Sequence, residues 1–333
     1  MKQWVIPADV TDPAGLKVEN VAVPEPGPGQ VRVRVTALSL NARDGLILSG
    51  PFGRLPGTDL VPLSDLAGVV DSLGADVTAW QVGDRVTRGH APVWIGGRPV
   101  PFGIGPGSLD DPGAAAEHVI LDAGTLVAAP AHLSDSEAST LQVAGVTAWN
   151  ALFDTNPVTA GDRVLVIGSG GVALYALQLA QAVGAEVYVA LRSRHDDPRW
   201  KELQVAGIVD TTDPGWGERA KALSGGITKV VNTVGWGLLN ECLAALEPGG
   251  EQAVVGLYDP APQAPDTMLL TVNQLSVRGV AVGSLAMHRE LAQFMAHHDI
   301  HPLISEHIAF DRLPDAFTVL RDGAVFGKIV IDL

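Results

Sequence analysis

Gly168, Gly170 and Ala173 stand in G-x-G-x-x-A spacing directly behind an apolar, β-branched run, residues 164–167 (VLVI). That arrangement is suited to holding a pyrophosphate. Gly168 permits a tight turn out of a strand, Gly170 lets the backbone come close to an anion, and Ala173 lets the next helix pack against the strand. The first N–H groups of that helix, among them those of Gly171 and Val172, have no partner within the helix and offer a positive dipole end to the phosphates. The next apolar run, residues 187–191, ends in Arg192-Ser193-Arg194, with no Asp or Glu before Asp196. An acid at that point would bind a ribose 2′-hydroxyl, whereas a basic residue accommodates a 2′-phosphate. Ser193 and Arg194 are therefore expected to hold the 2′-phosphate of NADP(H), with Arg192 beside them.

These groups need a strand, a helix and a second strand to position them, and the sequence supplies that succession. A helix is expected over residues 172–183, ended by Gly184, with strands on either side. Residues 164–185 carry no charge and are long enough to cross a bilayer, but early glycines, two glutamines and the strand that follows mark them as core. Further units follow: a strand at 229–234, a helix at 238–246 stopped by Pro248-Gly249-Gly250, and strands at 252–257 and 275–282. Strands alternating with helices predict a doubly wound parallel sheet. The N-terminal part reads as β-rich. Residues 31–35 (VRVRV) alternate with the period of a half-solvated strand, and strands are expected at 67–72, at 77–86 around a Gly83-Asp84 turn, and at 118–121. Residues 88–113, rich in glycine and proline around Trp94 and Phe102, are expected to form a loop that covers something. Residues 134–141 and 146–153 have a helical pattern, with Ser134 and Glu137 spaced as a capping box. The tail predicts helices at 289–297 and from Pro314 to just before Gly323, then a strand at 328–332.

A chain of 333 residues with 47% hydrophobic and 18% charged content has room for about two cored domains. A net charge of −15, with 22 Lys and Arg in no cluster, excludes a nucleic-acid surface. Cys242 is the single cysteine, which rules out an intrachain disulfide and a cysteine-rich metal site. The opening residues, MKQWVIPADV, lack the apolar core of a signal peptide, so the cytoplasm is the expected compartment, without membrane attachment.

Several segments together resemble the medium-chain dehydrogenase/reductase superfamily, and within it the zinc-free quinone oxidoreductase and enoyl reductase branch. They are Leu40-Asn41-Ala42-Arg43-Asp44, residues 62–70 (PLSDLAGVV), Gly83-Asp84-Arg85-Val86, Val146-Thr147-Ala148-Trp149, the glycine unit, Gly283-Ser284 and the closing residues 327–331 (GKIVI). The resemblance implies an α/β fold with a GroES-like β-rich catalytic domain, residues 1–125 and 285–333, and a Rossmann NADP(H)-binding domain, residues 126–284. It puts the active site in the cleft between them. It further implies Asn41, Asp44 and Thr147 beside the nicotinamide, Arg43 as a nearby donor, Leu257, Gly283 and Ser284 around the ring, and Lys328 as a further cofactor contact. Where zinc members carry their ligands, this sequence aligns Asn41, Ser64 and Val143, so no catalytic metal is expected. Without a Lewis acid, hydride transfer to a small apolar or aromatic enone or quinone is the expected chemistry, with water, Asp44 or His90 left open as proton source. A nicotinamide-binding protein that is not a reductase and a carbonyl or alcohol dehydrogenase are the alternatives. A homodimer is expected, formed by extension of the open edge at residues 275–282.

The arginines after the second strand generate the first prediction. Titrations followed by tryptophan quenching should show tighter binding of NADPH than of NADH, and Arg194→Ala should weaken NADPH by about 1–3 kcal/mol, the scale of a lost charge-assisted bond. Equal or tighter binding of NADH would refute the assignment.

Overall fold

The computed structural model describes residues 1–50, 52, 57–101, 103–109, 111–257, 264–323 and 325–333. In chain order the strands are β1 (Lys2–Val5), β2 (Lys17–Asn20), β3 (Gln30–Leu40), β4 (Asp65–Leu73), β5 (Arg85–Arg88), β6 (His118–Asp122), β7 (Leu126–Ala128), β8 (Arg163–Ile167), β9 (Glu186–Leu191), β10 (Gly207–Asp210), β11 (Ile227–Asn232), β12 (Leu246–Val254), β13 (Ser276–Gly279), β14 (Ile304–Ala309) and β15 (Lys328–Asp332). The helices are α1 (Ala42–Leu48), α2 (Asp135–Ala138), α3 (Val146–Phe153), α4 (Gly171–Ala182), α5 (Arg199–Glu202), α6 (Trp216–Ser224), α7 (Leu239–Ala245), α8 (Thr267–Val272), α9 (Leu285–His298) and α10 (Leu313–Asp322). None of the described helices is long and apolar enough to cross a membrane.

Contacts gather into two units, Met1–Val146 with Val282–Leu333, and Thr147–Ala281. Residues 126–146, grouped by sequence with the nucleotide-binding part, belong to the first unit. The reason is local bonding: Ser39 Oγ lies 3.0 Å from the Ser139 carbonyl oxygen, and Gln142 Nε2 donates to the Ser64 carbonyl at 2.8 Å.

The first unit is a mixed sheet in the order β14-β15-β3-β4-β5-β7, with β6 also paired to β3. Strand β3 organises it. Val31, Val33 and Val35 face the core while Arg32 and Arg34 face out, as the alternation predicts, but from Ala37 to Leu40 every residue is buried. In that second half β3 pairs antiparallel with β15, Ile329 against Leu40 and Asp332 against Ala37, so the chain's last strand covers what would otherwise be an open edge. The extended run expected at 77–86 shrinks to β5. Gly83 N donates to Val70 O and Asp84 takes the Gln81 N–H at 2.8 Å, which turns the chain before it can pair. Strands β1, β2 and β14 are short and carry too little apolar alternation to be read from sequence.

The second unit is a six-stranded parallel sheet ordered β10-β9-β8-β11-β12-β13, starting centrally and reversing direction between β8 and β11. A doubly wound sheet binds its ligand at such a reversal, and the glycine turn follows β8 there. Strand β10 and helix α6 were not legible, because residues 207–210 (GIVD) and a helix with three charges in nine residues give weak periods. One face packs Leu165, Val230, Trp216 and Leu243 into an apolar core.

Toward α3 the same strands present charge. Lys229 of β11, 2% exposed, donates to the Thr155 and Asn156 carbonyls at 2.9 and 2.7 Å, and Arg278 of β13 donates to Asn150 O and Oδ1 at 2.8 and 2.9 Å. A helix C-terminus leaves carbonyls without partners and favours cations. Glu251 of β12, 3.2 Å from Lys229 Nζ, balances them. Burial holds the Lys229 ammonium below its ordinary pKa, against the pull of Glu251. Lys229→Met should therefore destabilise the chain by about 3–5 kcal/mol, since it takes the donor from the Thr155 and Asn156 carbonyls and leaves Glu251 with Arg278, 3.6 Å away, as its cation. Urea unfolding would measure it, and a loss under about 1 kcal/mol would mean that water serves those groups as well.

Candidate active site

Asn41 closes β3 and N-caps α1, with Asp44 three residues on, and their side chains lie in a polar cluster sunk into the first unit. The Asn41 backbone N–H donates to Asp44 Oδ2 at 2.7 Å, and Arg43 Nη1 stands 3.3 Å from Asp44 Oδ1. Lys328, the first residue of β15, donates to Leu40 O at 2.8 Å and to Asn41 Oδ1 at 2.5 Å. Across from it, Asn41 Nδ2 donates to Ser64 Oγ at 3.4 Å, and Ser64 Oγ donates to Asp65 Oδ1 at 2.8 Å. Asp65 also lies 3.1 Å from Ser39 Oγ and 3.8 Å from Lys328 Nζ. Ser39, Asn41, Asp44, Ser64, Asp65 and Lys328 are all buried.

Burial dominates the electrostatics. It raises the Asp44 carboxyl from 3.8 to about 6 against the opposing Arg43 charge, with Asp65 adding to the rise. Burial likewise lowers the Lys328 ammonium, opposed by Asp65 and Asp44. His90 is neutral: burial and the neighbouring Arg43 and Arg88 charges hold it well below 6.5. Its Nε2 meets the Ile104 carbonyl at 3.2 Å and so carries the hydrogen. A neutral ring whose hydrogen is committed to a carbonyl is a poor proton donor, and His90 acts here as a loop clip.

The same loop is fastened at several other points. Arg43 Nη2 and Nη1 donate to Ile104 O and Pro106 O at 2.9 and 2.8 Å, and Arg88 pairs with Asp111. Trp94, buried, donates Nε1–H to Gly97 O at 3.1 Å. The carbonyls of Trp94 and Ile95 take the first two N–H groups of α9 at 2.9 Å each. The segment expected to cover something is thus anchored on α1 and α9; Phe102 lies outside the described residues. Arg43, expected as a donor near the nicotinamide, spends both Nη groups on this anchoring.

In the second unit Gly168 takes φ +95°, which favours glycine, and Gly170 is extended, with nothing within 4 Å of where a Cβ would stand. Gly171 and Val172 open the twelve-residue α4, whose first helical bond goes from Leu174 N to Gly170 O. Arg192, Ser193 and Arg194 follow β9 and are exposed, Arg194 in the left-handed region at φ +62°. An open cradle, unspent helix N–H groups and exposed cations one strand away fit a dinucleotide with a 2′-phosphate.

The remaining expected residues lie on several elements. Thr147 is buried in the first turn of α3, and Leu257, beyond β12, is 67% exposed. Gly283 has no room for a side chain, since a Cβ would stand 2.7 Å from Val146 Cγ1 and 2.9 Å from Met287 Sδ. Ser284 N-caps α9, accepting the Met287 N–H at 3.2 Å. Sequence reasoning missed Ser39, Asp65, Arg88 and Asp111; the signal for Asp65 was a Ser-Asp pair opening an apolar strand.

Residues 27–131 match the alcohol dehydrogenase GroES-like domain family, and residues 171–297 match the zinc-binding dehydrogenase family. A zinc-type alcohol dehydrogenase-like protein of Schizosaccharomyces pombe is 32% identical over 99% of both chains. The chain is a medium-chain dehydrogenase/reductase. A solved Sinorhizobium meliloti structure superposes on this superfamily member with a TM-score of 0.91, at 36% identity and full coverage of both chains. The NADP-dependent alcohol dehydrogenase C of Mycobacterium bovis is 28% identical over 93% of this chain and 92% of its own. The zinc of the second family's description finds an unsuitable donor set here. Asn41, Ser64 and Val143 offer an amide, a hydroxyl and an alkyl group where zinc takes thiolate, imidazole or carboxylate, and no metal-capable His, Cys, Asp and Glu group occurs among the described residues.

The raised Asp44 carboxyl generates a pH prediction. Its folded pKa exceeds its unfolded one, so the folded chain binds this proton more tightly, and the contribution to stability falls as pH rises from about 4 through about 6. A displacement of that size is worth roughly 3 kcal/mol. Asp44→Asn keeps an acceptor for the Asn41 N–H and cannot ionise. Urea unfolding across pH 4–8 should show the variant losing less stability over that window than the parent; parallel curves would mean that Asp44 titrates normally.

Proposed function

We propose that this chain is a zinc-independent, NADPH-dependent oxidoreductase that reduces the conjugated double bond of a small apolar or aromatic enone, or a quinone. The observation that carries the reading is the Lys328 ammonium 2.5 Å from Asn41 Oδ1. A zinc ion held at that amide would stand beside a buried positive charge, which a low-dielectric site penalises. Oxidising a simple alcohol would then lack the Lewis acid that stabilises an alkoxide, whereas enone reduction spreads its developing charge onto a carbonyl oxygen that hydrogen bonds can hold.

NADPH, when bound, supplies the hydride. Overall one double bond is reduced, NADPH becomes NADP⁺, and one proton is taken from solvent. The chain's part is binding and orientation. The Gly168–Gly170 turn and the α4 N-terminus, with Gly171 and Val172, take the pyrophosphate, and Ser193 and Arg194 take the 2′-phosphate. The NADP in the Mycobacterium bovis relative's name supports the same choice. Thr147, Leu257, Gly283 and Ser284 frame the nicotinamide, while Asn41 and Asp44 stand at the reacting end. Alcohol or carbonyl dehydrogenation is the second reading, favoured by the names of the relatives.

A panel of enones, quinones, aldehydes and alcohols, followed by NADPH absorbance with stereospecifically deuterated cofactor, separates the two. Deuterium at the β-carbon of reduced enones, with activity retained after exhaustive chelation and no stoichiometric zinc in the protein, is expected. Turnover confined to alcohols and aldehydes and restored by zinc would overturn the proposal.

The same reading includes a homodimer. Strand β13 is the sheet's edge, and Met268 and Val272, one turn apart on α8, are 71% and 67% exposed. Pairing of two β13 edges would satisfy the backbone and cover apolar surface. Light scattering at micromolar concentration should give twice 34.7 kDa; the monomer mass would end this part.

A further inference from the structure

Asn41 has its amide held at both ends. An ammonium carries donors and no acceptor, so the atom that meets Lys328 Nζ at 2.5 Å must be the amide oxygen. The reversed rotamer would set an NH₂ group against an NH₃⁺ group. At the other end, one Nδ2 hydrogen goes to Ser64 Oγ at 3.4 Å, and Ser64 hands its own hydrogen to Asp65 at 2.8 Å. Nδ2 has two hydrogens. The second has no bond among the described residues, and Asn41 keeps 7% of its surface exposed.

The anchors are themselves fixed. Lys328 is held by Leu40 O, and Ser64 by the bond of its carbonyl to Gln142 Nε2 at 2.8 Å. A positive charge on the carbonyl side of an amide polarises it and makes its N–H a stronger donor.

We propose that the second Nδ2 hydrogen of Asn41 holds the substrate's carbonyl oxygen as negative charge develops on it, and that Lys328 is a positioning residue that locks and polarises this amide. The donor role rests on the reductase reading above; the lock does not. Lys328 then acts through Asn41, with its ammonium turned into the protein, and the cofactor contact expected from the resemblance is not its task.

Three variants test this, each checked for thermal stability and NADPH affinity. Asn41→Asp keeps the acceptor facing Lys328 and removes both donors. Lys328→Met frees the amide, and Lys328→Arg restores a cationic donor. With an enone reduced by the parent, kcat should fall about 10²–10³-fold in Asn41→Asp, the cost of losing one oxyanion donor. It should fall substantially in Lys328→Met and recover in Lys328→Arg, with NADPH affinity within about twofold throughout. Separately, ¹⁵N-asparagine spectra of the cofactor-free protein should show an Asn41 side-chain pair displaced from the free-amide position, which collapses toward it in Lys328→Met and persists in Lys328→Arg. Unchanged kcat in Asn41→Asp overturns the donor role, as does loss of activity that tracks NADPH affinity alone. Spectra insensitive to Lys328→Met overturn the lock. A parent that reduces no enone or quinone sinks the donor role together with the reductase reading, while the spectra still decide the lock.

Discussion

A lysine ammonium enclosed away from water is costly unless every donor is directed at an acceptor, and the placement of Lys328 meets that demand with three groups from two stretches of chain. It binds a carbonyl at the end of β3 and the Asn41 amide, with the Asp65 carboxylate of β4 3.8 Å away. The β3–β15 pairing brings these groups together, since Ile329 faces Leu40 in register. A one-residue slip of β15 would turn Lys328 to the other face of the sheet and leave Asp65 and Asn41 short of a cation. Register, burial of the charge and geometry of the polar cluster are thus one constraint.

The second unit solves a related problem differently. Its parallel sheet is buried on both faces, and most positions are accordingly apolar. Buried charge enters at the end of α3, where Lys229 and Arg278 donate to carbonyls in and just beyond the helix's last turn and Glu251 offsets them. The apolar face opposite is left to packing alone.

What could be read from sequence follows from how local each signal is. The glycine turn, the flanking strands and α4 depend on neighbouring residues, and they lie within a residue or two of where the spacing puts them. The Ser134 and Glu137 capping box is likewise local and present. Asp65 and Lys328 belong to strands whose pattern was legible, but that their side chains approach one another depends on the pairing of β15 and β4 with β3, and spacing along the chain carries no trace of it. The loop at 88–113 was recognisable by composition, while its fastening by Arg43, His90 and Arg88 was not, because backbone carbonyls are the acceptors for two of the three. An acceptor that every residue possesses leaves no mark in the sequence.

The sheet of the first unit draws β3 through β7 from early in the chain and β14 and β15 from its last thirty residues, with the whole parallel sheet encoded between them. During synthesis residues 147–281 leave the ribosome as one uninterrupted stretch with all six of their strands, whereas β3 must wait for a partner made about three hundred residues later. Until then the buried half of β3, from Ala37 to Leu40, is an apolar edge without cover, the kind of surface that invites pairing with another chain. The order of translation therefore makes the nucleotide-binding sheet the part able to fold first, and makes the interval before β15 emerges the period in which the nascent chain has most to gain from a chaperone.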